Sequence, residues 1–451
     1  MKLRRVMQAS CTLALIFTSS CSGCTGTSPG DPGREGSVAP GLAVQPDEPS
    51  AYERELAKMD KQIGTLQKRA LGREQDWLTR QFLASALLDR ASLTGQVADY
   101  KRVERVLDET FAIGEVGTGP ALVAARFDYA IHRLDKAYDR QRKLAGYSIL
   151  KRDQLFAIAL LGAQIAFQRG QYAEALATLE RLAAEGPSPA HTNLALYHAK
   201  TGRVVEAEKL FEQARAATEK DDAKQRAWLG LQLGIIAMES GRYDEALNRL
   251  KAADSEFSGW WLIREHIAEV LTLLGKDTEA VPIYEAVIAQ TELPQYMDAL
   301  AGCYERLGRQ HDAEALVARA RAAWKQQIAE LPESAMGHGL EHYLEHGSAE
   351  EALDLAKKNH AARPNGEACV LLAKAYLKAD NPKAALEVLE QTLATPYRSA
   401  DLHDAAREAY TALGQAKLAA AQRSLCLAVN PRYYDAPGGS GSDTATSSPE
   451  R

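Results

Sequence analysis

Cysteine is scarce in the body of this 451-residue chain. Three of its six cysteines lie within the first 24 residues, and the others, Cys303, Cys369 and Cys426, are far apart. Such dispersed thiols form no disulfide framework and are expected to pack as small apolar residues. The sequence also lacks a Cys-x-x-Cys-His haem segment, a phosphate-binding glycine loop and a Gly-x-Ser-x-Gly nucleophile turn. We therefore expect neither a cofactor nor an enzymatic activity.

An excess of basic residues is also missing. The chain has 54 Lys and Arg residues against 60 Asp and Glu residues, a net charge of −6. Residues 1–20 contain three basic and no acidic residues, so the chain without them has a net charge of −9. Nucleic-acid-binding proteins present a basic face, so no nucleic-acid partner is expected.

The apolar run near the N-terminus is short. It covers residues 13–17, whereas a membrane-spanning helix needs about 20 apolar residues. Basic residues precede it and small residues follow it up to Cys21, which is typical of a secretory signal peptide over residues 1–20. The segment resembles a bacterial lipoprotein signal, which implies that the thiol of Cys21 is lipidated. Cys24 is the alternative attachment site, and an ordinary cleaved signal is the other interpretation.

This resemblance also implies a location. A lipid anchor would hold the protein to a membrane of the bacterial cell envelope. Ser22 and Gly23 provide no acidic retention signal, which favours the outer membrane with the protein facing the periplasm. Residues 21–50 are rich in Gly, Ser, Pro and Thr and are expected to form a disordered tether. Residues 432–451 are expected to form a disordered tail.

Glycine and alanine recur through the rest of the chain about every 34 residues. The glycines are Gly170, Gly202, Gly241, Gly275, Gly308, Gly347 and Gly414. An alanine follows each by five residues, at Ala175, Ala207, Ala246, Ala280, Ala313, Ala352 and Ala419. A further unit has Asp380 in the glycine position, followed by Ala385. This period indicates a stack of helix pairs, an architecture that provides an extended binding surface.

Each unit resembles the tetratricopeptide repeat. That family places an apolar and a small residue in the first helix, glycine at the turn, and alanine, an aromatic residue and alanine in the second helix. One unit has these residues as Leu194, Ala195, Gly202, Ala207, Phe211 and Ala214. The resemblance implies an all-α fold, a right-handed α-solenoid of helix-turn-helix repeats, with about eight repeats in residues 151–431. Residues 51–150 match poorly and are expected to form degenerate or capping helical hairpins.

In this family the first helix of each repeat lines a concave groove that holds a partner. The corresponding positions of this chain predict a groove that is apolar in the early repeats and acidic in the late ones. They are Leu160, Phe167, Leu196, Trp228, Leu231, Ile235, Met238, Glu265, Glu269, Asp298, Glu305, Glu341 and Glu345. Two other interpretations stay open: the tryptophan and its neighbours pack against the adjacent repeat, and the acidic residues form a solvated face.

A histidine stripe in the late repeats has the spacing of a metal site. His338, His342 and His346 recur every four residues and so lie on one side of a helix. The stretch 338–342 also matches a His-x-x-Glu-His motif in which two histidines bind Zn²⁺ and the glutamate acts as a base. Because the motif is short, adventitious metal binding and a plain solvated face are the alternatives, and no catalytic residue or metal ligand is assigned.

These features predict a membrane-anchored tetratricopeptide-repeat scaffold or adaptor in the bacterial cell envelope. We expect it to bind envelope proteins by holding a peptide or helix in its concave groove, and to contact the membrane through its N-terminal lipid anchor. Two alternatives remain. One is a metal-dependent hydrolase that uses residues 338–342, and the other is a receptor for a small molecule or glycan.

Overall fold

The computed structural model describes residues 48–113, 119–185 and 189–435. Within these residues the chain forms 21 α-helices and no strand, which confirms the predicted all-α solenoid. None of the described helices combines the length and the apolar character that crossing a membrane requires. The predicted signal peptide, both candidate lipidation sites (Cys21 and Cys24) and nearly all of the predicted tether lie outside the described residues.

Five helices precede the regular repeats and eight helix pairs follow. The first five are α1 (Ala51–Leu71), α2 (Trp77–Thr94), α3 (Val97–Ala112), α4 (Gly119–Ala130) and α5 (Leu134–Ala145). The next four pairs are α6 (Arg152–Gln168) with α7 (Tyr172–Ala183), α8 (Pro189–Lys200) with α9 (Val204–Ala217), α10 (Ala223–Glu239) with α11 (Tyr243–Glu256), and α12 (Trp261–Leu273) with α13 (Asp277–Thr291). The last four are α14 (Pro294–Arg306) with α15 (Gln310–Glu330), α16 (Pro332–His346) with α17 (Ala349–Ala362), α18 (Gly366–Lys378) with α19 (Pro382–Leu393), and α20 (Ala400–Ala412) with α21 (Ala416–Val429).

The alanine ladder lies where the two helices of a pair meet. Seven of the eight alanines have no exposed surface, and the last, Ala419, is 8% exposed. Small residues on the facing helix also leave room for the two helices to approach closely. At Gly234 of α10, a Cβ atom would lie 2.7 Å from the side chain of Leu250 in α11. Small residues at these positions therefore allow the helices of a pair to pack closely.

The solenoid coils so tightly that its later repeats pack on its earlier ones. Gly170, in the turn between α6 and α7, has φ +73°, and a Cβ there would lie 2.8 Å from the carbonyl oxygen of Pro364, before α18. Gly241, in the turn between α10 and α11, has φ +74°. A Cβ there would likewise lie too close to the side chain of Asn430, after α21. Only glycine combines this backbone conformation with room for a second chain segment.

Polar contacts also join early repeats of the solenoid to late ones. The indole Nε1 of Trp261 donates to the carbonyl oxygen of Leu93 at 3.0 Å, between α12 and the end of α2. The backbone N–H of Arg398 donates to the carbonyl oxygen of Lys200 at 3.0 Å. The backbone N–H of Gly366 donates to the Tyr172 hydroxyl at 2.8 Å. These contacts close the solenoid around its own interior.

Both ends of the described chain differ from the expected simple hairpins and free tail. Helix α1 is an additional helix before the pairs α2–α3 and α4–α5, and the N–H of Tyr52 reaches the Ser258 carbonyl oxygen beyond α11 at 3.0 Å. After α21, Tyr433 is buried, and the Tyr434 hydroxyl donates to Asp404 at 2.7 Å. The chain therefore packs on the last repeat through Asp435, four residues beyond the predicted boundary at residue 431.

Candidate binding cavity

The interior of the solenoid contains a cavity of about 180 Å³. Its walls come mainly from the first helices of the pairs, α8, α10, α14, α16, α18 and α20, and from the segment before α20. The volume equals the share of roughly six water molecules in the liquid. A side chain or a small ligand fits in this space.

Helix α16 contributes most to one wall because of its sequence pattern. His338, Glu341, His342 and Glu345 follow one another at i, i+3, i+4 and i+7, so they share one helix face, and all four line the cavity. The absence of a side chain at Gly337 leaves room for a neighbouring guanidinium, because a Cβ there would lie 2.1 Å from Arg363 Nη2. The wall is therefore charged, although it lies in the protein interior.

Two lysines of the cavity form ion pairs between repeats. Lys200 Nζ lies 3.0 Å from Glu239 Oε1 and 3.2 Å from Glu367 Oε1. Burial disfavours its ammonium group, but these two carboxylates outweigh that effect and raise the pKa of Lys200 well above its usual value. Lys374 Nζ lies 3.3 Å from Asp401 Oδ2, and this carboxylate likewise overcomes burial to raise the lysine pKa. These pairs join α8 to α10 and α18, and α18 to α20.

Glu341 is the exception among the charged groups of the wall. Its carboxylate has no hydrogen bond and no ion pair with any residue that the structure describes. Burial raises its pKa from 4.5 to about 8, with Lys374 opposing the shift and Asp401 adding to it. A carboxyl group that faces an internal cavity without a partner is a candidate for binding a ligand.

The structure separates the members of the histidine stripe. His342 is 2% exposed, and its Nδ1 lies 2.8 Å from Asp298 Oδ1, so the expectation of a plain solvated face is wrong for this residue. His338 lies on the side of Arg363, and burial together with this guanidinium lowers its pKa to about 4. In the described residues, one group of side chains that could hold a metal ion contains Asp298, His342 and His346. His338, the first histidine of the stripe, is not part of this group.

Several predicted groove residues belong to the core. Trp228, Leu231 and Met238 are at most 5% exposed, and the Trp228 ring packs edge-on against Phe211 at 6.3 Å between centroids. The prediction that these residues contact a partner is therefore wrong, because neighbouring helices cover them. Packing against neighbouring repeats, the other interpretation, is what the structure has.

The acidic part of the predicted groove divides into two sets. Glu265 and Glu269 are 1% and 4% exposed, so they form neither a solvated face nor a surface open to a partner. Asp298, Glu341 and Glu345 line the cavity together, as the inward positions of α14 and α16 predict. The remaining predicted residues are partly buried and lie outside the cavity: Leu160, Phe167, Leu196, Ile235 and Glu305.

The tetratricopeptide repeat family matches residues 160–222, 231–296 and 368–402. The chain contains tetratricopeptide repeats. The matched segments cover most of α6–α13 and of α18–α19, and they include the cavity-lining helices α8, α10 and α18. No curated protein matches this chain.

Solved structures with similar helical repeats are distant. A tetratricopeptide repeat protein from Parabacteroides merdae is 16% identical, with 56% of this chain and 93% of that chain covered and a TM-score of 0.34. The Naa15/Naa10 structure bound to HypK-THB is 14% identical, with 83% and 67% covered and a TM-score of 0.27. A monomeric mutant of IFIT1 with Gppp-AAAA is 12% identical, with 82% and 94% covered and a TM-score of 0.41.

Sequence reasoning missed the part of the cavity wall that lies near the repeat turns. Lys200 and Glu239 end their helices, and Glu367 begins one, so the repeat pattern assigns none of them to the groove. The only available signal was that charged residues of opposite sign occupy the ends of several first helices. Which ends meet depends on the coiling of the solenoid.

Proposed function

We propose that this protein is a scaffold of the bacterial cell envelope that binds a protein partner through the central cavity. The repeat family supports a protein-interaction role, and the unpaired Glu341 carboxylate supports the cavity as the place of contact. The partner inserts a side chain into the cavity, whose volume of about 180 Å³ has room for one.

The charges of the wall favour a basic side chain. The acidic residues are Glu239, Asp298, Glu341, Glu345, Glu367 and Asp401, and the basic ones are Lys200, Arg363, Lys374 and Arg398. All four basic groups already bond to the protein itself, in ion pairs or through hydrogen bonds to Asn359 and to the Thr395 carbonyl oxygen. Glu341 has no such partner. A lysine or arginine of the bound segment pairs with this group and lowers its pKa, so that the carboxyl group becomes ionised on binding.

Capture from intact cells tests this function. The protein is crosslinked in place, purified and analysed by mass spectrometry, and the wild type is compared with Glu341→Gln. Glu350→Gln is the matched control, since Glu350 is an exposed glutamate on the neighbouring helix α17. Envelope proteins captured by the wild type and the control but lost from Glu341→Gln support the proposal. Equal capture by all three forms rejects the cavity as the binding site.

The anchor and the location are part of the same proposal. A thioether-linked lipid on Cys21, or on Cys24, attaches the protein to the outer membrane and leaves the repeats in the periplasm. Intact-mass analysis of the purified protein measures the lipid directly, and Cys21→Ser is compared with Cys24→Ser. We expect Cys21→Ser alone to remove the lipid mass and to release the protein from the membrane fraction. A wild-type protein with no added mass contradicts the anchor.

A receptor for a small cationic molecule is the second candidate. The acidic lining and the volume of about 180 Å³ favour it, because a free diamine can bind in such a space without any protein partner. Thermal unfolding in the presence of short diamines distinguishes the two functions. A rise in the unfolding temperature that Glu341→Gln abolishes, together with no specific protein capture, favours the receptor.

A further inference from the structure

A second group of side chains, at the edge of the cavity, has the composition of a metal site. Asp298 lies on α14, and His342 and His346 lie one turn apart on α16. One potential ligand atom of each residue lies within 4.8 Å of the others. In a tetrahedral Zn²⁺ site two ligand atoms are about 3.4 Å apart, because each metal–ligand bond is about 2.0–2.2 Å. Small side-chain rotations are therefore sufficient to bring all three onto one ion.

The imidazole of His342 provides an independent observation. The ring is 2% exposed, and its Nε2 atom is buried without a hydrogen-bond partner. Its other nitrogen, Nδ1, lies 2.8 Å from Asp298 Oδ1. Buried polar atoms are almost always paired, so an unpaired imidazole nitrogen beside a second histidine points to a missing ligand.

The carboxylate of Asp298 is held in place by a hydrogen bond from Trp324. Trp324 is 2% exposed, and its Nε1 donates to Asp298 Oδ2 at 2.9 Å. Hydrogen bonds of this kind orient ligands in metal sites and strengthen metal binding. The group borders the cavity, because Asp298 and His342 belong to its lining. The cavity therefore offers an entry path and water molecules to complete the coordination.

We propose that Asp298, His342 and His346 bind one divalent transition-metal ion, with Zn²⁺ as the best fit. Imidazole nitrogens select zinc, nickel and copper, whereas calcium and magnesium prefer oxygen ligands throughout. Three protein ligands leave one tetrahedral position for water. The ion connects α14 to α16 and so joins two successive repeats. This site does not depend on the peptide-binding function and stands if that function is rejected.

The other group of potential ligands in the described residues fits a metal less well. It consists of Glu265, His266 and Glu269, all on α12 and all at most 4% exposed. His266 Nδ1 lies 2.6 Å from Glu265, whose carboxylate outweighs the effect of burial and raises the histidine pKa to about 9. None of the three residues lines the cavity, so an ion has no path to this group from it. We therefore assign the ion to the group on α14 and α16.

Zinc titration of the full chain tests the site. The protein is purified without a histidine tag, freed of metal with a chelator, and titrated with ZnCl₂ by isothermal calorimetry. We expect one ion per chain for the wild type. His346→Ala and His342→Ala should each weaken binding by at least about 100-fold, and Trp324→Phe, which removes the bond to Asp298, by about 10- to 100-fold.

His338→Ala is the matched control, because His338 lies on the same helix one turn away and outside the group. It should bind zinc as the wild type does. Co²⁺ provides a second readout, since its visible absorption reports a four-coordinate site with nitrogen ligands, and His346→Ala should lose it. Circular dichroism establishes that each variant folds, and His346→Gln replaces His342→Ala if the latter does not. No binding by the wild type, or equal binding by all variants, overturns the proposal and leaves an adventitious ion only.

Discussion

Replacing Glu341 by glutamine tests whether its carboxyl group is held in the cavity at a cost to stability. Glutamine keeps the shape of the side chain and removes the charge. Burial raises the pKa of Glu341 from 4.5 to about 8 in the folded protein. Between these values the folded protein holds a proton that the unfolded chain has released. The free energy of unfolding of the wild type therefore falls as the pH rises through this window, and it is constant above it.

The size of the effect follows from the shift. At about 1.4 kcal/mol per pKa unit, a rise from 4.5 to about 8 corresponds to roughly 4 to 5 kcal/mol if no water reaches the group. The cavity is polar and large enough for water, so we expect the smaller figure of roughly 2 to 4 kcal/mol. Glu341→Gln should thus equal the wild type in stability near pH 4.5 and exceed it by this amount near pH 9.

Urea denaturation at about pH 5, 7 and 9 measures the difference. Glu351→Gln is a control of opposite sign. The backbone N–H of Ser348 donates to Glu351 at 2.8 Å and lowers the pKa of that carboxyl. Its contribution is present above the unfolded pKa of 4.5 and lost only as the pH falls below it, so Glu351→Gln should be less stable than the wild type at all three pH values. A stability difference for Glu341→Gln that does not vary with pH would refute the reasoning.

Three further predictions concern packing and are measured by urea or thermal unfolding with circular dichroism. Trp228→Ala should destabilise the protein by roughly 3 to 5 kcal/mol because the ring lies in the core, and a wild-type midpoint would contradict its burial. Trp261→Phe should cost about 1 to 3 kcal/mol, since it leaves the Leu93 carbonyl oxygen without its donor; no loss would show that the contact between turns is dispensable. Gly366→Ala should cost about 1 to 3 kcal/mol or more, because its Cβ would lie 2.1 Å from the Tyr397 ring; an unchanged midpoint would mean that the ring moves freely.

The helical repeats were predictable because each depends on residues near it in the sequence. Glycine in a left-handed turn and a buried alanine five residues later are local requirements of one helix pair. Asp380 shows the strength of this pattern, since it adopts φ +54° in the glycine position. Gly347 shows its limit, since it has φ −90° and the next helix begins from a capping box at Ser348. The repeat period predicted the helix pairs, but it did not predict the backbone conformation of every turn between two helices.

The candidate site was predictable only in part. The inward positions of α14 and α16 placed Asp298, Glu341 and Glu345 on one surface, and these three residues line the cavity. The same reasoning placed Trp228 on an open groove, where the structure has it 5% exposed. The error has a physical cause: whether an inward residue faces solvent, a cavity or another helix depends on how strongly the solenoid coils.

The sequence by itself determined the helix pairs, their number in the regular array and the residues at which the two helices of each pair meet. The tertiary structure alone decided how the solenoid closes. Small rotations between successive repeats add up over the array, and no local pattern specifies their sum. That sum brings Gly170 to Pro364 and Lys200 to Glu367, residues far apart in the chain. It thereby turns part of the predicted groove into a charged cavity between early and late repeats.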